Sequence, residues 1–231
     1  MKRRKFLSVR KGVAVGCQCS RSPLLWNAYR QYLKDANVEH FRAEVTRYYT
    51  VGTLERLVYH DSLSIRRAAV LALGLVGTYA SNDCLARALH DSDKTVAALA
   101  ENAIRTVWTR YGTDEDRKNL QTLCDMVARK DLLMAVTFAS LQMEKTPGFA
   151  EVLYQRGMAW FDLGRFDFAL EDFQQALERN PHHFRAAAMM GYCYMEQGDT
   201  DKTLEAFRTA LEISPGLRKT RSEVRKMEVR G

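Results

Sequence analysis

The sequence predicts an all-α protein, a right-handed α-solenoid in which antiparallel helix pairs stack along the chain. Two observations lead to this prediction. Apolar residues recur at helical spacing through most of the chain, and the last third repeats itself with a period of 34 residues. A fixed period of this length is typical of repeat architectures, because a single helix pair cannot bury its apolar face alone. The recurring residues are Gly157, Gly164, Phe173, Ala176 and Pro181, which return as Gly191, Gly198, Phe207, Ala210 and Pro215.

Composition and charge argue against several classes of protein. The 231 residues are 46% hydrophobic and 27% charged, as in an ordinary soluble protein. No apolar run approaches the roughly 18 residues that would suggest a membrane span. The formal net charge of +7 comes from the two ends, since residues 1–11 carry six basic groups and residues 217–231 carry six more against two acids. A nucleic-acid-binding protein more often spreads positive charge over one face, so a nucleic-acid-associated helical-repeat protein is kept only as an alternative.

Residues 1–23 are interpreted as a basic, flexible lead-in. The pair Arg3-Arg4 resembles the core of a twin-arginine export signal, and Cys17 lies in a segment that loosely resembles a lipoprotein cleavage box. Arg10 and Lys11 interrupt the apolar stretch of about 7–15 residues that such a signal needs. We therefore predict a cytoplasmic protein, with a membrane as partner only if Cys17 is lipidated.

Two short helices are predicted between residues 24 and 52. The first has Leu25, Tyr29 and Leu33 on one face, and the second runs from Val38 to Tyr48. Each is too short to be stable alone in water, so the two helices must pack together and onto the element that follows.

A second, shorter repeat follows, in which His60-Asp61 returns as His90-Asp91 ahead of an alanine-rich helix. Here residues 53–110 resemble HEAT-like repeats of the short type, and we predict that residues 24–130 form a HEAT-like domain. In that family a loop Asp and a following Arg connect neighbouring repeats. Asp61 and Arg66 match these positions, but Ala97 replaces the Arg in the second repeat.

Short HEAT-like repeats also occur in bilin lyases and in alkyl-purine DNA glycosylases, which leaves a HEAT-like lyase or glycosylase as a further alternative. A glycosylase would need an acid and aromatic residues on a basic concave face. The chain between its two basic ends is slightly acidic, which argues against this enzyme.

A further helix pair is predicted between Thr113 and Thr146. Thr113 opens a capping-box pattern, and Asp131 can cap the next helix, which must end before Pro147. Pro147 lies 34 residues before Pro181. We interpret this segment as a degenerate repeat that joins the two arrays.

Residues 148–216 strongly resemble two tetratricopeptide repeats in phase. The family positions have physical roles. Gly157 and Gly191 are expected to let two helices touch at the backbone, whereas Gly164 and Gly198 end the first helix of each pair in a conformation that is costly for other residues. The resemblance implies helix pairs that stack into an extended binding surface.

The second domain is predicted to span residues 131–231, with a C-terminal helix that caps the stack. In the tetratricopeptide family, ligands lie against the first helix of each pair, so the resemblance implies a peptide-binding groove at those positions. Because methionine adapts its shape, this groove is expected to bind an amphipathic helix or an extended apolar segment of a protein. The implied groove residues are Tyr154, Gln155, Met158, Phe161, Asp162, Arg185, Met189, Tyr192, Met195 and Glu196, with Glu151 and Ala188 at matching positions.

Other chemistries find little support in the sequence. Tyr154 and Met158 stand where tetratricopeptide domains that grip a chaperone's C-terminal carboxylate carry Lys and Asn. Cys17 and Cys19 have no second Cys or His pair nearby, and His182-His183 is interpreted as a polar loop. No phosphate loop, nucleophile elbow or His-Glu metal motif is present. We therefore predict a non-enzymatic adaptor or assembly scaffold without metal or cofactor; the sequence predicts neither the identity of the partner nor the oligomeric state.

Overall fold

The structure is a computed structural model and describes residues 24–229, in which every regular element is helical, as predicted. The interpretations of residues 1–23, including those of Cys17 and Cys19, lie outside the described residues. The helices are α1 (Leu24–Asp35), α2 (Val38–Tyr48), α3 (Val51–Leu57), α4 (Leu63–Val76), α5 (Asn82–Ala88), α6 (Lys94–Trp108), α7 (Asp114–Ala128), α8 (Leu132–Lys145), α9 (Ala150–Asp162), α10 (Phe166–Arg179), α11 (Phe184–Glu196), α12 (Thr200–Ile213) and α13 (Arg218–Glu228), with a short 3-10 helix at Tyr79–Ser81.

The helices pack in consecutive pairs, which is the predicted helical-repeat fold. Each of α1, α3, α5, α7, α9 and α11 packs against the helix that follows it, and short loops make the two helices antiparallel. The pairs then stack, with α4 on α6, α8 on α9 and α10 on α11. We call α1–α6 the first array and α7–α13 the second array. None of these helices is both long and apolar enough to cross a lipid bilayer.

Small residues and paired charges hold the first array together. Gly74 of α4 lies so near α6 that an added Cβ would come within 3.1 Å of the Ala103 Cβ. Arg66 of α4 binds both carboxylate oxygens of Asp91, at 2.8 and 3.1 Å. The resemblance to HEAT-like repeats implied that a loop Asp and a helix Arg connect neighbouring repeats. Arg66 makes such a connection between helix pairs, and the carboxylate that it binds is that of Asp91 in the next repeat.

The second array depends on glycines in two different ways. Gly164 and Gly198 end α9 and α11 with φ values of +70° and +77°, the left-handed conformation expected of them. Gly157 does not serve a backbone contact between two helices, which corrects the prediction. An added Cβ there would lie 2.7 Å from Cε1 of Phe173, so Gly157 makes room for an aromatic ring of α10. Gly191 does the same for the ring of Phe207.

Helix starts follow the capping signals in part. Thr113 and Asp116 form the predicted capping box at the start of α7, because each side chain accepts a hydrogen bond from the other's backbone N–H. Asp131 occupies the cap position of α8, but its side chain makes no capping bond, which corrects that prediction. α7 packs on both α8 and α9, so this pair continues directly into the last repeats.

Candidate peptide-binding groove

The candidate groove lies along α9 and α11, the first helices of two consecutive pairs. The 34-residue period relates their residues in rows that run from one helix to the next. Gln155 corresponds to Met189, Met158 to Tyr192, Phe161 to Met195, and Asp162 to Glu196. These rows are the geometrical basis of the predicted groove.

The predicted groove residues differ in how far they reach the surface. Tyr154 is buried, three are exposed, and the others are partly buried. Met195, at 37% exposure, is the most exposed apolar member of the set. The exposed residues are Asp162, Met195 and Glu196, and the partly buried ones are Gln155, Met158, Phe161, Arg185, Met189 and Tyr192.

Tyr154 lies in the core and does not line an open surface, which corrects its place in the predicted groove. Its exposure is 3%. The guanidinium of Arg185 stacks over its ring at 4.4 Å, and the His183 ring lies 4.9 Å away. Burial raises the pKa of Tyr154 to about 12, so its hydroxyl stays protonated. A ligand on the surface of the second array does not reach this side chain.

A buried charged cluster lies beside Tyr154. Glu151, also buried, places one carboxylate oxygen 3.1 Å from Nε2 of His183 and the other 3.7 Å from Arg185. Burial works to raise the pKa of Glu151, but the His183 hydrogen bond and the charge of Arg185 outweigh it and hold that pKa below its ordinary value. Because these buried polar groups satisfy each other, this end of the candidate groove is closed.

The first array covers that edge, which the sequence did not predict. His183, interpreted from sequence as part of a polar loop, is fully buried, and Trp108 of α6 stacks on it at 4.4 Å. Trp108 donates its indole N–H to Oδ1 of Asn82 at 2.7 Å, and Asn82 donates to Oδ1 of Asn180 at 2.9 Å. No local pattern signals this contact, because its two sides are far apart in the chain.

The middle of the groove is soft and apolar. Met158, Phe161 and Met189 pack against the core cluster of the second array while remaining partly exposed. Tyr192 meets Phe207 edge to face at 5.0 Å. These residues therefore have a double role: one side of each packs on the core and the other faces outward.

The far end of the groove is acidic. Asp162 ends α9 and pairs with Lys130 at 2.6 Å, while Glu196 occupies the same position at the end of α11. On the next first helix, α13, Glu223 and Lys226 lie near Tyr192 and act on its hydroxyl electrostatically. The candidate groove residues thus run from a closed polar edge, across apolar rows, to an end where Asp162 is paired with Lys130 and Glu196 is exposed.

Reactive groups are not gathered at this site. Burial raises the pKa of the Cys124 thiol to about 11 and that of Cys193 to about 12, so both thiols stay protonated and weakly nucleophilic. Within residues 24–229, no three His, Cys, Asp or Glu side chains are close enough to hold a metal ion.

A concavity of about 680 Å³ lies between α10 and α12, and none of the predicted groove residues lines it. Its walls include Leu177, Met190, Tyr194 and Ile213. Sequence reasoning missed it, because its residues come from three helices and form no pattern along any one of them.

Comparison with known protein families finds two repeats in the last third of the chain. Models of the tetratricopeptide repeat match residues 150–183 and 184–216. Residues 150–216 are two tetratricopeptide repeats (TPRs). No curated protein matches the sequence. The HEAT-like character of residues 53–110 stays a prediction.

Solved TPR structures resemble parts of the chain. The first TPR domain of Spaghetti (RPAP3), bound to an HSP90 peptide, is 17% identical with a TM-score of 0.48, covering 51% of this chain and 94% of that one. The Sgt2 TPR domain from Aspergillus fumigatus is 22% identical with a TM-score of 0.44, covering 52% and 84%. A structure of MamA is 17% identical with a TM-score of 0.41, covering 82% and 96%.

Proposed function

We propose that this protein is a non-enzymatic adaptor or assembly scaffold that binds a protein segment in the TPR groove. The observation that carries the proposal is the row of partly exposed, soft side chains on α9 and α11. Met158 and Tyr192 occupy equivalent positions of the two first helices, as do Phe161 and Met195, and Met189 lies one turn before Tyr192. Apolar surface in such a continuous arrangement is typical of a contact site.

The groove chemistry favours an amphipathic helix or an extended apolar segment that carries a basic residue at one end. Methionine side chains adapt to apolar ligand groups of different shape. Glu196 lies exposed at the end of α11 and would attract the basic residue, whereas Asp162 at the same end of α9 is paired with Lys130. The opposite edge, at Glu151 and Tyr154, is buried and sets the limit of the ligand.

A peptide library tests this proposal with a defined ligand source. We would select binders to the full chain from random 12-residue peptides. Enriched peptides should combine two or three apolar residues with Lys or Arg. The variant Met158→Glu/Met195→Glu should weaken their binding at least about tenfold, equivalent to about 1.4 kcal/mol. The variant should keep its helicity; a loss of fold would show instead that Met158, which also packs against the core cluster, is a structural residue.

Leu33→Glu is the matched control, since Leu33 is an exposed apolar residue on α1, outside the second array. It should bind the peptides as the unaltered protein does. Equal binding by the groove variant and the control would refute the groove assignment.

The HEAT-like character of the first array and its extent, residues 24–130, are part of the proposal. The Arg66–Asp91 pair between helix pairs supports it. The proposed boundary with the second domain, residues 131–231, falls between α7 and α8. α7 nevertheless packs on α8 and α9, so contacts cross this boundary.

A nucleic-acid role is the alternative function. The excess of basic over acidic residues is confined to the ends of the chain, so any affinity for DNA or RNA should be weak and should fall steeply with salt. Tight, salt-resistant binding by residues 24–216 would favour the alternative.

The cytoplasmic location also belongs to the proposal and rests on Arg10 and Lys11 in the N-terminal segment. The mass of natively expressed protein tests it. A mature chain beginning at a lipid-modified Cys17 would overturn it and make the protein a membrane-tethered scaffold.

A further inference from the structure

The concavity between α10 and α12 combines apolar and acidic side chains, and the proposed groove makes no use of it. Leu177 and Met190 on its walls pack against the core of the second array, and Ile213 packs against that of the first. All three are partly exposed. Its volume of about 680 Å³ lies within the range of about 300–1,000 Å³ that is typical of ligand pockets. The concavity therefore has room for large apolar side chains.

Three exposed glutamates belong to this region. Glu178 and Glu205 line the concavity itself. Glu212 lines a cleft of about 540 Å³, which adjoins the concavity because Thr209 and Ile213 line both. The apolar walls are thus accompanied by carboxylates along the whole length of this surface.

Basic side chains on these walls have other partners. Lys202 pairs with Asp199 at 3.0 Å, and Arg87 lies beside the hydroxyl of Tyr59. Within residues 24–229, none of the three glutamates forms an ion pair with a basic side chain. The surface therefore carries negative charge that attracts a basic segment.

Residues 1–11 have the complementary chemistry. Six of them are Lys or Arg and none is Asp or Glu. Phe6 and Leu7 form an apolar pair with basic residues on both sides. The other end of the chain with an excess of basic residues, 217–231, is largely taken up by α13, which packs on α12. The N-terminal segment is thus the part of this chain whose charge and apolar residues match the concavity.

The N-terminal segment is also long enough to reach the concavity. α1 packs on α4, α4 on α6 and α6 on α5, and α5 supplies one wall of the adjoining cleft. Three helix spacings of about 10 Å each amount to about 30 Å. Phe6 precedes Leu24, the first residue of α1, by 18 residues, which span up to about 60 Å when extended.

We propose that residues 1–11 dock in this concavity, with Phe6 and Leu7 on its apolar walls and the flanking basic residues against the three glutamates. Burial of the two apolar side chains and the attraction of opposite charges both favour this contact. Because the segment belongs to the same chain, its effective concentration at the concavity is on the order of 1 mM, so even weak contacts suffice. A partner of the same chemistry has to displace the segment, which therefore acts as an autoinhibitory element for this surface. The proposal is independent of the groove on α9 and α11.

A zero-length carbodiimide cross-linker tests the contact, because it joins a lysine amine to a carboxylate only where the two groups meet. The full chain should give cross-links from Lys2, Lys5 or Lys11 to the three glutamates, identified by mass spectrometry. An equal mixture of isotope-labelled and unlabelled chains distinguishes contacts within one chain from contacts between two copies.

Two charge-reversal variants give a matched comparison. Glu178→Lys/Glu205→Lys should reduce the cross-links to the unaltered Glu212 at least about tenfold, because like charges then face each other. Glu171→Lys/Asp201→Lys makes the same change in net charge at exposed positions of the same two helices, outside the concavity. This control should cross-link as the unaltered protein does.

A variant of the segment itself tests the apolar part of the contact. Phe6→Glu/Leu7→Glu keeps every lysine in place and should also reduce the cross-links at least about tenfold, because it would bring carboxylates against apolar walls. Both residues precede α1, and circular dichroism checks that the helices of the variant are intact.

Three results would overturn the proposal. The first is a full chain without these cross-links, or with cross-links spread equally over other exposed carboxylates. The second is cross-linking that the Glu178/Glu205 variant or the Phe6/Leu7 variant leaves unchanged. The third is cross-linking only between labelled and unlabelled chains, which would assign the segment to a second copy. A chain that lacks these cross-links while an added basic, apolar peptide cross-links to Glu212 would assign the concavity to another protein. None of these results depends on peptide binding in the groove.

Discussion

At the scale of single residues, the packing of the second array depends on two glycines, which have no side chain. Gly157 and Gly191 leave the space that the rings of Phe173 and Phe207 fill. The 34-residue spacing predicted a structural role for Gly157 and Gly191. It also predicted the left-handed turns at Gly164 and Gly198. The spacing did not predict what the space is for, because the ring that enters it comes from another helix.

Gly157→Ala should lower the free energy of unfolding by about 1–3 kcal/mol, since its methyl group would meet the Phe173 ring at a distance that forces the helices apart. Gly52→Ala is the matched control, because Gly52 lies in α3 with nothing within 4 Å of an added Cβ. The change Gly52→Ala should raise the free energy of unfolding by up to about 1 kcal/mol. Urea unfolding of both variants checks this, and a Gly157→Ala protein as stable as the control would contradict the packing described.

Asp93 makes stability depend on pH. Its bidentate contact with Arg67 lowers its pKa to about 2, against about 3.9 for an unfolded aspartate. A group whose pKa is lowered by folding stabilises the fold above its unfolded pKa, and the contribution disappears as the pH falls through the folded value. The urea midpoint should therefore fall between about pH 4 and about pH 2, and it should fall less in Asp93→Asn.

Asp61→Asn, at an exposed loop acid, should behave as the unaltered protein does. Equal pH profiles for Asp93→Asn and the unaltered protein would count against this role.

At the scale of helices, local patterns predicted most elements and long-range packing decided the rest. Thr113 and Asp116 form their capping box within four consecutive residues, so sequence sufficed there. Leu33, placed by its spacing on the same face as Leu25 and Tyr29, is 59% exposed, whereas those two residues are buried. Tyr154 shows the opposite error, since His183 and Arg185, at the start of the next helix pair, cover its ring.

The contact between the arrays is testable at Trp108. Trp108→Ala should lower the free energy of unfolding by about 3–5 kcal/mol, because the ring is buried against His183 and Phe184. Hydrogen exchange should also rise in residues 180–184, which the ring covers. Trp160→Ala, at a partly buried tryptophan of α9, should leave that exchange unchanged. Slow exchange of residues 180–184 in Trp108→Ala would mean that the first array does not hold this loop.

At the scale of the whole molecule, the stack presents two surfaces on different sets of helices. The first helices α9 and α11 carry the proposed groove, which the first array closes at one edge. The second helix α8 carries three exposed apolar residues, Leu133, Met134 and Leu141. Sequence periodicity predicted the groove rows, because they repeat. It missed the closed edge, because only the folded chain brings α6 to the loop before α11.

Hydrogen exchange of the full chain with and without a selected peptide tests the central claim most directly. The account predicts protection in residues 150–162 and 184–196, with residues 24–76 unchanged. The protection should disappear in Met158→Glu/Met195→Glu and persist in Leu33→Glu. Protection confined to α8, to the first array or to the basic ends of the chain, with α9 and α11 exchanging as in the free protein, would contradict it.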